Sequence, residues 1–143
     1  MNISVLALLC IGAFEANASD HQSLEIELPD ATFTLQWMHS IEKSGWEETW
    51  RVTNAGFMPI NARIKTGGSG MEPPPSSVFV DGWYVYRPEI GPVPEIVIPD
   101  SSFTAPMQIC VQDDCSPLSE VAKRRTDDIR PIRLWSGAGC SKM

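Results

Sequence analysis

From Ser23 to Val111 apolar residues recur at every second position in short runs, each cut off by Gly, Pro, Asn or Asp. No long run with a 3.6-residue period appears before residue 116. Segments patterned this way bury a face only by pairing as strands, because successive side chains of a strand point to opposite sides. Frequent turn signals between so many short runs predict one all-β domain. Its expected form is an antiparallel β-sandwich or small barrel of about seven to nine short strands, ending in a short helix.

Ser23-Leu-Glu-Ile-Glu-Leu28 alternates cleanly until Pro29-Asp30 breaks it. From Ala31 the pattern puts Phe33, Leu35, Trp37 and His39 on one face, and after a turn at Ser44-Gly45 it puts Trp46, Glu48, Trp50 and Val52 together. Asn54-Ala-Gly56 leads into Ile60, Ala62 and Ile64, so three consecutive strands are expected to form a meander. Asp81-Gly82 between two β-rich runs is the strongest hairpin signal in the chain. Glu95-Ile-Val-Ile98 reads as a short strand buried on both sides. Ser116-Pro-Leu-Ser-Glu120 reads as a helix start, with Ser116 as N-cap, Pro117 in the first turn and the helix reaching about Thr126. No firm periodicity is apparent from Asp127 to Met143.

The first residues bear on compartment. An apolar run ending at Phe14, followed by Ala16-x-Ala18, has the form of a cleavable leader over residues 1–18, although no Lys or Arg precedes the run. It is too short for a stable membrane-spanning helix. The organisation expected is a leader, an N-terminal segment with the first strand over residues 19–30, a β domain over 31–120 and a basic tail over 121–143. The protein is then periplasmic or otherwise exported; the alternative is an N-terminal membrane anchor. The formal net charge is −7, with 5 bases and 15 acids in residues 19–120 but 6 bases and 2 acids in residues 121–143. An acidic body of this kind argues against nucleic acid as a partner.

Cys110 and Cys115 flank a turn, and a two-residue loop at Gln112-Asp113 would place them opposite each other in a non-hydrogen-bonded pair. Such pairs hold Cα atoms roughly 4.5 Å apart, close enough for a disulfide. Cys10 falls within the leader, which leaves Cys140 as the odd thiol: free, mixed or intermolecular. With two histidines in the chain and two cysteines assigned to a disulfide, no metal site and no cofactor are expected.

His39, Ser40, Glu42 and Lys43 gather a base, a hydroxyl, a carboxylate and an amine where a strand exits into a loop. Glu42 could orient His39 as a general base, or the pair could simply satisfy a polar group at the core edge. Trp37, Trp46 and Trp50, with Trp83, Tyr84 and Tyr86, offer either an aromatic wall for a ligand or the core of a small domain. Glu47 and Glu48 are expected in cross-strand pairs on a wet face. Gly67-Gly-Ser-Gly-Met-Glu-Pro-Pro-Pro75 can be neither helix nor central strand, and Met71 and Glu72 sit between its flexible and stiff halves.

The blocks Trp37-x-His39-Ser40-x-Glu42-Lys43-x-x-Trp46-Glu47-Glu48-x-Trp50-Arg51, Gly70-Met-Glu-Pro-Pro-Pro75 and Asp81-Gly-Trp83 together resemble the DUF1850 family of small exported bacterial proteins. The resemblance covers residues 31–120 and brings no catalytic residues. It implies an accessory role beside TRAP-type transporters with TAXI-type solute-binding proteins, so the expected partners are transporter components or a small organic solute. On the residues alone, the candidate surface is His39, Ser40, Glu42, Lys43, Met71 and Glu72, with its two loops at one end of the domain. The alternative reading is a small envelope hydrolase or lyase using His39 and Glu42.

Overall fold

A computed structural model describes residues 7–13, 23–38, 45–65, 73–99, 107–123 and 130–136. They form two antiparallel sheets, sandwich-like and without a closed barrel. The larger sheet has the strand order β10-β9-β3-β4-β5-β7-β6, where β3 is Thr32–Met38, β4 Gly45–Thr53, β5 Gly56–Ile64, β6 Val78–Val80, β7 Trp83–Tyr86, β9 Gln108–Val111 and β10 Asp114–Pro117. The smaller has the order β2-β1-β11-β8, from β1 Ala7–Ala13, β2 Ser23–Leu28, β8 Glu95–Ile98 and β11 Ile132–Ser136.

One core lies between the sheets. Leu9, Ile11, Leu28, Ile98, Ile132 and Leu134 of the small sheet meet Phe33, Leu35, Trp50, Phe57 and Ile109 of the large one. Phe33 and Phe57 pack edge to face with centroids 5.4 Å apart, the geometry favoured by ring quadrupoles. Each fully buried Leu or Phe here removes enough apolar area from water to contribute about 2–3 kcal/mol.

The meander β3-β4-β5 is as the alternation predicts, with Phe33 opposite Trp50, Leu35 opposite Glu48 and Trp37 opposite Trp46. A register shift between Thr49 and Trp50 makes Trp50 face Pro59 and Thr49 face Asn61, leaving Ile60 as the extra residue of a bulge. The turn after β6 has positive φ at both Asp81 and Gly82, as a two-residue hairpin loop requires. Cys110 and Cys115 are opposite each other, disulfide-bonded, with Cα atoms 4.0 Å apart.

Three expectations are corrected. Glu95–Ile98 is an edge strand, with Val97 38% exposed, because only β11 pairs with it. Ser116 is no helix cap: the disulfide-flanked hairpin continues through it, pairing Ser116 with Ile109 and Pro117 with Gln108. Helix α1 is a single turn, Leu118–Val121, preceded by Pro117 without a side-chain cap. It is held by the Leu118 amide donating to the Met107 carbonyl at 2.8 Å and by the buried Leu118 side chain. In the basic tail, Ile132–Ser136 is an inner strand whose Ile132 and Leu134 enter the core while Arg133 and Trp135 face away. Apart from these, the apolar run of the expected leader forms β1, paired on both sides, with Leu9 and Ile11 in the core.

Candidate functional site

Alternation along β3 and β4 sends Thr34, Gln36 and Met38 of one strand, and Gly45, Glu47 and Thr49 of the other, to the face of the large sheet opposite the core. There the Thr34 and Thr49 hydroxyls share a hydrogen bond of 2.9 Å. Gln108, Gln36, Glu47 and Arg63 then stand in one cross-strand row. Gln36 Nε2 donates to Glu47 Oε2 at 3.3 Å, and Arg63 donates through Nε to Oε1 at 2.9 Å and through Nη2 to Oε2 at 3.1 Å. The bidentate fork fixes the carboxylate's plane, although partial exposure holds such a pair to about 1 kcal/mol or less.

The next step toward the sheet end brings in Trp83. Its ring lies under the Arg63 guanidinium, 4.1 Å from the centroid, with Lys65 Nζ at 5.6 Å. The same indole covers Gly45: a Cβ added there would meet Trp83 Cη2 at 3.1 Å. A methyl at position 45 would therefore need the ring to give by a few tenths of an ångström, and glycine lets it rest on the backbone. Gln36, Met38, Gly45, Glu47, Trp83 and Gln108 bound a groove of about 320 Å³, together with Trp37 and Trp46. Those two indoles stack at 5.7 Å with planes 25° apart. The groove thus offers an indole wall, a methionine lip and a floor of amide and carboxylate groups.

The candidate residues His39, Ser40, Glu42, Lys43, Met71 and Glu72 lie outside the described residues. Their loops leave from described positions, and those positions are neighbours. The first spans Met38 to Gly45 and the second departs from Lys65, whose amide donates to the Gly45 carbonyl at 2.9 Å. Asp81-Gly82-Trp83 approaches the same place, since Lys65 Cε lies 3.9 Å from the position a Gly82 Cβ would take. Sequence reasoning placed Trp83 in an aromatic wall or core but missed Gly45 and Arg63 as its supports. The bare signal was a glycine at a strand start and an arginine in an alternating run.

The face toward the core holds one ionisable cluster. Leu35, Glu48, Ala62 and Tyr86 form a cross-strand row, and small Ala62 separates the carboxyl from the phenol. Glu48 was expected on a wet face; the register instead turns it inward, beside Trp50. Burial pushes its pKa up from 4.5, offset in part by the Trp50 side chain. Burial first, then the Glu48 charge, raises Tyr86 as well. The Trp50 indole nitrogen is buried with no acceptor at hydrogen-bond distance among the described residues.

A second groove of about 480 Å³ lies at the opposite end of the large sheet, around the Thr53–Gly56 turn, Pro94 and Ser136. Among the described residues no group of three or more His, Cys, Asp or Glu could hold a metal ion. No helix there is long and apolar enough to cross a membrane.

Sheets and site together define a β-sandwich module with a groove at one end of its larger sheet, framed by tryptophans and two loop roots. The profile of the family described as Domain of unknown function (DUF1850) matches residues 33–118, and the chain belongs to that family. The match takes in nearly the whole large sheet and β8, and leaves out β1, β2 and β11. No curated protein and no solved structure matches the chain.

Proposed function

We propose that this protein is an exported, non-catalytic binding or accessory module of a TRAP-type (TAXI) solute transporter. It meets a transporter component or a small organic solute at the end of the large sheet where Met38, Gly45, Lys65 and Trp83 come together. The observation that carries this reading is the backbone contact between Lys65 and Gly45 with Trp83 resting on it. It sets the roots of the loops bearing His39, Ser40, Glu42 and Lys43, and Met71 and Glu72, beside one groove. A flat indole with hydrogen-bonding groups beside it suits recognition, because it supplies rigid contact area at little entropic cost. The transporter assignment rests on the family resemblance. Periplasmic location is compatible with the Cys110–Cys115 bond, since such bonds persist in oxidising compartments.

The test is a pull-down from bacterial envelope extracts with wild type, Trp83→Ala and a His39→Ala/Glu72→Ala double variant. Wild type should recover transporter components, and each variant should recover roughly tenfold less, the loss expected when a central contact of about 1.4 kcal/mol is removed. Equal recovery by all three would remove the proposed surface. Recovery of no transporter component by wild type would remove the transporter.

A further inference from the structure

Three of the four sheet edges are guarded. β2 carries Glu25 and Glu27, β8 begins at Glu95 after Pro94, and β10 runs from Asp114 to Pro117. Charges and prolines at such places deter pairing with a further strand. The fourth edge, β6, is Val78-Phe79-Val80, with neither charge nor proline, and these residues are 61%, 61% and 48% exposed. Its shortness is the protection left to it. The Ser77 amide donates to the Pro74 carbonyl at 2.9 Å, which turns the chain away and limits the free edge to Ser77–Asp81.

The register of the hairpin decides which backbone groups of that edge are free. Val80 and Trp83 flank the two-residue loop and form the hydrogen-bonded pair beside it. Phe79 and Tyr84 are then a non-hydrogen-bonded pair, so the Phe79 N–H and C=O both point outward from the sheet. Among the described residues no backbone group outside the hairpin meets them. A donor and an acceptor on one outward-facing residue are what an antiparallel strand needs to exchange two hydrogen bonds with its own copy.

We infer that β6 is a self-pairing edge, through which two copies of this chain join their large sheets across a two-fold axis at Phe79. Val-Phe-Val reads the same in both directions, so such an axis sets Val78 of each copy opposite Val80 of the other. Next to them, Ser77 of each copy faces Asp81 of the other, a hydroxyl against a carboxylate, and no like charges are opposed. Phe79 already packs on Tyr84 with ring centroids 4.8 Å apart, and its own copy extends that aromatic row across the axis. Trp83 is opposite Val80, so the two Trp83 grooves come to lie on one side of a single sheet, three strand spacings of roughly 4.8 Å apart. Ser77–Asp81 is five residues a side, against roughly 20–30 in a standard interface, so the pair is weak and concentration-dependent.

Sedimentation equilibrium tests this on the protein expressed as the full chain and purified as its host delivers it, from about 1 μM to about 1 mM. The expected result is a monomer that becomes a dimer within that range. Phe79→Pro should abolish the dimer and leave the monomer folded, because the N–H it removes makes no bond to β7. Ser77→Lys should tighten the dimer at least about threefold, and Ser77→Asp should loosen it as much, since each dimer holds two such pairs with Asp81. Asn54→Lys, at the exposed turn of the opposite end, should leave the association within about twofold of wild type. A chain monomeric throughout the range would overturn the inference, and so would a dimer indifferent to Phe79→Pro and Ser77→Asp. If the chain stays monomeric and Phe79→Pro instead loses a protein captured from envelope extracts, the edge takes a strand of another protein and self-pairing is wrong. The dimer is measured with no transporter component present, so its failure is distinct from failure of the transporter reading.

Discussion

At the scale of single residues, Glu48 and Gly45 carry the sharpest consequences. Glu48 is half-buried on the core-facing side of the large sheet with its pKa raised by burial, so the folded protein holds that proton more tightly than the unfolded chain does. Between the ordinary value of 4.5 and the raised one, the native state binds more protons. Stability from this group is therefore full at acid pH and falls as pH rises through that window. Glu48→Gln should remove the dependence, raising the Tm at pH 7 and leaving it nearly unchanged at pH 4. An unchanged slope of Tm against pH would show that the carboxyl is not desolvated. Gly45→Ala should shift the Trp83 ring by a few tenths of an ångström at a cost of about 1 kcal/mol, the low end of the range for overpacking. Tryptophan emission would report the ring's exposure and a denaturant melt the cost; a variant unchanged in both would mean that the indole does not rest on that backbone.

At the scale of elements, the β5 start and the β9–β10 hairpin make contrasting predictions. Gly56 has φ +119°, and a Cβ there would lie 2.3 Å from the Val93 carbonyl oxygen. The adjacent Phe57 exchanges backbone hydrogen bonds of 2.7 and 2.9 Å with Val93, so the connector before β8 cannot easily move aside. Gly56→Ala should cost about 3 kcal/mol or more, combining the positive φ with a backbone clash. The Cys110–Cys115 bond closes only a tiny loop that β-pairing already holds. Its removal as a double Ser variant should cost about 2 kcal/mol or less, and urea melts of the two variants should rank in that order. A hairpin variant that fails to fold would contradict this ranking and assign the disulfide a larger part in the β9 edge.

Element by element, the hairpins were legible because alternation and turn residues act locally: Trp37 opposite Trp46, Asp81-Gly82 and the cysteine pair all follow from neighbours in sequence. What pairs at long range was not. Ala7–Ala13 and Ile132–Ser136 are joined across nearly the whole chain, and nothing local in an apolar run distinguishes a leader from a buried strand. Ile132 and Leu134 did alternate with Arg133 and Trp135, a period-two signal too short to stand out in a basic tail. Glu48 was misread for a related reason: its parity matched Trp46 and Trp50, but its charge suggested solvent. The bulge at Ile60 likewise has no signature in the strand that carries it.

At the scale of the whole molecule, the two ends of the large sheet differ. One brings Met38, Gly45, Lys65 and Trp83 together, and the other is the Thr53–Gly56 turn, which bounds the larger groove. The candidate residues lie outside the described ones, and what is described is the set of positions from which their loops leave the large sheet. The contacts that join them, Lys65 to Gly45 and Trp83 to Gly45, depend on register and could not be read from spacing. Site-specific photo-cross-linking in intact cells tests the shared end most directly, with a photoreactive residue replacing either Met38, which is 46% exposed beside the groove, or exposed Asn54 at the opposite turn. The account predicts a covalent adduct with a transporter component from position 38 and none from position 54; an adduct from position 54 alone, or equal adducts from both, would contradict it.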